Sequence, residues 1–299
     1  MIVNGVAIDD TFAEAFGMKA TRLVITADTP EWAMHAATAM TGFATSVIGC
    51  GCEAGIEQIL PADQTPDSRP GVSILLFAMS GKELAKQVLN RAGQCIMTSP
   101  TSALFSGIAG EDKIKLGAAL RYFGDGFQMS KKFGGKRYWR IPVMDGEFLC
   151  EDNAYITTKA VGGGNILILA RSRKSALAAA ECGVAAMRKI AGVIMPFPGG
   201  VVRSGSKVGS KYKALIASSN DAFCPTLKGV TATKLTPDVE AVLEIVIDGL
   251  TSDAISAAMR AGMVAICEMG QASGVTAITA GNYGGKLGPF HFHLRKILS

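Results

Sequence analysis

The sequence predicts an α+β protein built as two related lobes. One pattern recurs four times along the chain: a strand, a Ser or Thr, a helix, a Gly and a second strand. The copies fall into two pairs, the mark of an internal duplication. The composition agrees, since 299 residues that are 48% hydrophobic and 18% charged supply a large core or two smaller ones.

The first copy opens on TRLVITA (21–27). Thr29-Pro30-Glu31 then reads as an N-cap, a Pro at the first helical position and an acid in the first turn. Ala33, Ala36, Ala37 and Met40 follow at helical spacing, Gly42 ends the helix, and FATSVIG (43–49) is expected to return as a strand. The second copy is VSILLFAM (72–79), Ser80, a helix to Arg91 with Leu84 and Val88 inside, Gly93, and QCIMT (94–98) as the returning strand. The third is NILILA (165–170), Ser172, a helix through Leu177, Val184 and Ala191, Gly192, and VIMPF (193–197). The fourth is VLEIVID, Thr251-Ser252-Asp253, a helix with Ile255, Met259, Gly262 and Ile266, and VTAITAG (275–281). Two consecutive βαβ units make a split βαβ, ferredoxin-like lobe with two helices on one face of its sheet. The expected lobes are 1–145, carrying an insertion, and 146–299. A doubly wound sheet is the alternative, but the cluster Gly162-Gly163-Gly164 precedes its strand, the wrong side for phosphate binding.

Two connections read as irregular, Cys50–Gly71 and Pro198–Pro237, and long connections in compact domains commonly carry function. The second holds Arg203, Ser204, Ser206, Lys207, Ser210, Lys211 and Lys213 with no acid before Asp221. Such a run can grip carboxylates or phosphate, or can simply be a solvated basic loop. Between the lobes, Thr101–Glu147 suggests a short helix and strands at LRYFGDGF and KRYWRIPVMDGEF. Arg137-Tyr138-Trp139-Arg140 interleaves cations and rings as RNA-stacking surfaces do, or as an ordinary strand does.

The totals narrow the classes of function. Net charge is +5, which suits anionic small molecules and is no nucleic-acid footprint. No apolar run approaches the ~20 residues of a membrane helix. MIVNGVAIDDTFAEAF lacks a basic stretch, so no signal peptide is expected, and a cytoplasmic protein is. Seven scattered Cys fit reduced thiols. With three His, no HExxH, and Cys50-Gly51-Cys52 lacking a second pair, no metal site is expected.

The chemistry is placed on TPDVEAVLEIVIDG (236–249), read as a strand with Pro at its mouth and Asp-Gly as its stop. Side chains alternate along a strand, so Val242, Glu244, Val246 and Asp248 share one face and Leu243, Ile245 and Ile247 the other. If the first face is covered, apolar surroundings raise the Glu244 pKa and make it a general acid and base near neutral pH. On pattern alone a solvated face, with Glu244 in water, is the other reading.

An ordered set of stretches then carries a resemblance. It comprises Asn4-Gly5, Asp10-Thr11-Phe12-Ala13-Glu14-Ala15-Phe16, Thr41–Ser46, Glu53-Ala54-Gly55-Ile56, Thr65-Pro66-Asp67 and Arg69-Pro70-Gly71. It continues through Gly93-Gln94-Cys95, Pro196–Gly200, Ser204-Gly205-Ser206-Lys207, Glu244-Ile245-Val246-Ile247 and Ala280–Gly288. Together they resemble the formylmethanofuran–tetrahydromethanopterin formyltransferases over essentially the whole chain. The resemblance implies a cytosolic acyltransferase of two ferredoxin-like lobes. Such enzymes are homodimers or homotetramers that move a formyl group between a furan coenzyme's amine and N5 of tetrahydromethanopterin. It implies these two as coenzyme substrates and no bound prosthetic group or metal.

It also places the catalytic carboxylate at Glu244. The substrate-binding candidates beside it are Gln94, Pro198, Gly199, Gly200, Ser204, Lys207, Lys211, Asn220, Asp221, Asn282 and Tyr283. Backbone N–H groups of Gly199-Gly200 or Gly284-Gly285 and the Asn282 amide are candidate oxyanion donors. The basic charge and Cys50-Gly51-Cys52 depart from methanogen relatives and point to the bacterial branch. There a relative works within a formyltransferase/hydrolase complex, so partner subunits are expected. A non-catalytic scaffold protein and an RNA-binding module remain the other classes, the latter disfavoured by the near-balanced charge.

Overall fold

The computed structural model describes residues 1–110 and 112–299. It is a mixed α/β protein whose contacts divide into two compact units, Met18–Ala160 and Met1–Gly17 with Val161–Ser299.

The unit Met18–Ala160 takes most of its first strand, β1, from Phe12–Thr26. Helix α1 (Pro30–Thr41), strands β2 (Glu53–Leu60) and β3 (Gly71–Ala78), helix α2 (Gly81–Arg91) and strand β4 (Ala103–Ser106) follow. The strand order is β2-β3-β1-β4, antiparallel throughout. Ala33, Ala36, Ala37 and Met40 of α1 and Leu84 and Val88 of α2 bury against Leu23, Ile25, Ile74 and Leu76, so both helices cover one face. The caps form as read: Thr29 Oγ1 accepts from the Trp32 N–H and Ser80 Oγ from the Glu83 N–H.

Three expectations fail here. FATSVIG is not a strand: Ser46 Oγ caps the short helix Val47–Cys50, and the Glu53 carboxylate reaches back to the Val47 N–H at 3.0 Å. The returning strand is therefore β2, and the supposed irregular Cys50–Gly71 stretch contains it. QCIMT is not a strand either, because Ala92–Ile96 prolongs α2 as a π-type turn and the strand waits until β4. LRYFGDGF is a helical turn, Gly117–Leu120 then Arg121–Gly124, ended by Asp125 in the left-handed region at φ 48°. The strands Lys136–Val143 and Gly146–Glu151 form as read, and the latter lies parallel to β4. Within that hairpin Trp139 Nε1 donates to Asp152 and Arg137 to Ser130, so the basic-aromatic stretch is engaged by its own neighbours.

The other unit repeats the plan. Strand β5 (Ala154–Ala170) leads into helix α3 (Arg173–Met187), strand β6 (Val193–Ile194), strand β7 (Ala241–Gly249), helix α4 (Ser252–Glu268) and strand β8 (Val275–Thr279). The order is β6-β7-β5-β8, again antiparallel, with β8 running parallel to Val6–Ile8. Helix α3 ends at Met187, short of the expected Ala191, and β6 is two residues rather than VIMPF. Ala179, Val184, Met259, Met263 and Ile266 pack on Ile166, Ile168, Ile245, Ile247 and Ile278, filling one face. Strand β9 (Phe290–His293) pairs with Phe12–Ala15 and leaves His291 and His293 exposed. No helix among the described residues is long and apolar enough to cross a membrane.

Candidate active site

Strand alternation decides what surrounds Glu244. Ile245 and Ile247 point into the core under α3 and α4, so Val242 and Glu244 face the other side of the sheet. That side is not open to water. The segment 198–240 folds across it and sets Phe223, Leu235 and Val239 against Leu167, Leu169 and Val242. Val202 fastens the cover: its N–H donates to the Glu244 carbonyl at 2.7 Å, and its carbonyl accepts from the Glu244 N–H at 3.0 Å.

Glu244 is half-buried in the wall of a cavity of about 760 Å³, whose lining also includes Leu167, Arg173, Arg203, Ser204 and Phe223. Among the described residues no donor reaches its carboxylate. Desolvation alone therefore acts on it, and burial pushes its pKa up to about 7. Such a carboxyl is poised to take and return a proton at neutral pH.

A second cavity of about 340 Å³ is lined in part by Asp10, Thr11, Lys207, Lys234, Asn282 and Tyr283. Asn220 and Phe223 line both cavities. Burial raises the Tyr283 phenol, and the nearby Glu244 charge raises it further. The phenol donates to the Ser206 carbonyl at 3.1 Å, which ties the Tyr283 loop to the basic segment. Lys207 Nζ meets Asp221 Oδ1 at 2.6 Å, and that hydrogen bond holds the Asp221 carboxyl below its usual range.

The fold thus brings Glu244, Ser204, Lys207, Asn220, Asp221, Asn282 and Tyr283 together in one unit. Lys211 stands exposed between the paired segments Lys207–Val208 and Ala217–Ser218. Pro198, Gly199 and Gly200 line neither cavity. Gly200 sits at φ +87°, with an added Cβ 2.9 Å from Val184, and its N–H is spent on the Phe197 carbonyl. Gln94 lies in the other unit, exposed on the turn that prolongs α2. Of the candidate oxyanion donors, the Gly285 N–H is also committed, to Glu14, and Asn282 Nδ2 donates to Thr11 Oγ1 at 2.7 Å. The Gly284 N–H has no partner among the described residues.

Sequence reading missed Arg173, Phe223, Lys234 and Glu14 as site residues. Only Glu14 left a signal, an acid between alanines within an apolar strand. No cluster of three or more His, Cys, Asp or Glu among the described residues could hold a metal.

Comparison with known proteins bears on this site directly. The model of the family "Formylmethanofuran-tetrahydromethanopterin formyltransferase" matches residues 1–143, and that of its "FTR, proximal lobe" matches 146–297. The chain belongs to the formylmethanofuran–tetrahydromethanopterin formyltransferase family. It is 68% identical to the formyltransferase of Methylococcus capsulatus, with both chains covered completely. It is 65% identical, again over both whole chains, to that of Methylobacillus flagellatus. Among solved structures of this formyltransferase family, it is similar to a chain of the formyltransferase/hydrolase complex from Methylorubrum extorquens, determined with methylofuran. The TM-score is 0.98 at 56% identity, covering 100% of this chain and 99% of that one. The Methanosarcina barkeri formyltransferase gives 0.94 at 45% identity, covering 99% and 100%.

Proposed function

We propose that this chain transfers a formyl group between the amine of a formylmethanofuran-type carrier and N5 of tetrahydromethanopterin, with Glu244 as its acid and base. The observation that carries the role of Glu244 is a carboxyl with a pKa of about 7 in the wall of a cavity that no ion pair disturbs. In the transfer, the N5 amine attacks the formyl carbon and a tetrahedral oxyanion forms. Glu244 accepts the proton that N5 loses and delivers it to the departing amine, so the carboxyl ends as it began. A free N–H such as that of Gly284 is the remaining glycine donor for the oxyanion.

Both coenzymes carry anionic tails, and Ser204, Lys207 and Lys211 with Asn220, Asp221, Asn282 and Tyr283 form the binding side. Holding the two coenzymes together supplies much of the acceleration. Pro198-Gly199-Gly200 shapes the start of the segment that covers Glu244, and Gln94 is a separate binding candidate on its own unit. No prosthetic group or metal takes part.

The strand orders β2-β3-β1-β4 and β6-β7-β5-β8, each with two helices on one face, support two duplicated ferredoxin-like lobes. The lobes are 1–145 and 146–299 in sequence, as the meeting point of the two family models supports. The high identity to methylotroph relatives, one of them named as part of a formyltransferase/hydrolase complex, supports a cytoplasmic homo-oligomer working beside partner subunits.

The test is formyl exchange by the purified chain with formylmethanofuran and tetrahydromethanopterin, followed by absorbance of the N5-formyl product. Glu244→Gln is expected to bind both coenzymes and to lose turnover by roughly 10²–10⁴-fold. Normal turnover in that variant would remove Glu244 from the mechanism.

A further inference from the structure

We propose that Glu14 is a positioning residue for formyl transfer: its carboxylate anchors the loop Asn282–Gly288 and so sets Tyr283 against Glu244. The proposal rests on the formyl-transfer reading for its kinetic arm alone.

Glu14 lies on β1 between Ala13 and Ala15, with 1% of its surface exposed. Its Oε2 accepts from the Tyr283 N–H at 2.8 Å and the Gly285 N–H at 3.0 Å. Its Oε1 accepts from the Gly288 N–H at 3.1 Å and from the Leu287 N–H. A carboxylate offers about four lone-pair sites, and all are used. No Lys, Arg or His pairs with it among the described residues, so peptide dipoles alone balance the charge. Burial raises its carboxyl, but these four N–H donors outweigh burial and hold it below its ordinary range.

The loop needs such an anchor. It has no regular secondary structure, and Gly284 and Gly285 turn it through the left-handed region at φ 77° and 72°. At its far end Gly288 runs so close to β1 that a Cβ there would stand 2.2 Å from the Ala15 carbonyl oxygen. The first of the four donors belongs to Tyr283 itself, so the anchor fixes the backbone from which the phenol reaches Ser206 and the surroundings of Glu244. Glutamine keeps the shape but replaces one acceptor oxygen by an N–H₂ donor. Two loop N–H groups would then face a donor and go unpaired.

The experiment compares wild type, Glu14→Gln, Tyr283→Phe and the double variant in steady-state formyl transfer, with amide hydrogen exchange of each by mass spectrometry. If Glu14 acts through Tyr283, E14Q lowers kcat/KM by at least about tenfold and alters the same constant as Y283F. The double variant is then no worse than E14Q. Residues 282–288 exchange faster in E14Q while the sheets keep their protection. Multiplicative losses in the double variant, or unchanged exchange at 282–288, would overturn the proposal. Should E14Q fail to fold, wild type decides: slow exchange at 282–288 supports the anchor, and exchange at the rate of a free loop refutes it. Absence of formyl transfer by folded wild type would count against the activity, whereas the exchange result would still decide the anchor.

Discussion

A carboxyl group whose pKa rises on folding makes opposite demands on stability and on catalysis. Glu244 has a pKa of about 7 in the folded chain against an ordinary value of 4.5. Between these values the folded state holds a proton that the unfolded state has released. Stability therefore falls as pH rises from about 4.5 to 7, by up to roughly 3 kcal/mol, less for the part of the side chain that meets solvent. Glu244→Gln removes that slope, so denaturant midpoints for the variant and wild type should converge at low pH and separate in the variant's favour above pH 7. The activity of wild type should show a limb near pH 7 that the variant lacks. Lys207 makes a different kind of prediction. Its ammonium is shared with Asp221 at 2.6 Å, so Lys207→Ala is expected to raise KM for one coenzyme several-fold with kcat nearly kept. An unchanged KM for both would assign the pair to holding the 198–240 segment. Glu244 was legible as a candidate because strand alternation is local. Its burial was not, since the cover of Phe223, Leu235 and Val239 comes from a segment with no periodicity to read.

At the level of elements, the helix starts were readable and several ends were not. Thr29, Ser80, Ser172 and Thr251 each cap the helix predicted to follow, because a cap is decided within a few residues. Thr251→Ala should lower stability by about 1 kcal/mol, read as a shifted denaturant midpoint, and leave KM for either coenzyme unchanged. The misread stretches failed for non-local reasons. FATSVIG has strand-like composition, yet Ser46 and the carboxylate of Glu53 give its amides partners that suit a turn. QCIMT follows a Gly that ordinarily ends a helix, but Gly93 and Ala92 are buried and the turn winds on. Gly200 is a position where the backbone leaves no choice. With φ +87° and Val184 2.9 Å from an added Cβ, Gly200→Ala should lower the melting temperature by several degrees and disturb the segment over Glu244.

For the whole molecule, the duplication was visible in the sequence because each half carries its own caps and apolar periods. The contact units differ from the sequence halves, since a strand can begin in one unit and finish in another, as β1 does. Net charge of +5 adds a testable long-range effect. If anionic coenzymes are drawn in by that field, raising salt from about 0.05 to 0.5 M should raise KM several-fold while kcat changes little. A KM indifferent to salt would leave binding to short-range contacts.

The hold of Glu14 on its loop spans sequence separations of 269 to 274 residues. During synthesis the acid therefore emerges among the first residues and waits for almost the last. Met18–Ala160 can complete its contacts while the ribosome is still working, but the unit bearing Glu244 stays open until residue 288 has left the exit tunnel. A chain broken off early would thus hold a finished unit without the anchored loop, and the site would arise only once translation had run to its end.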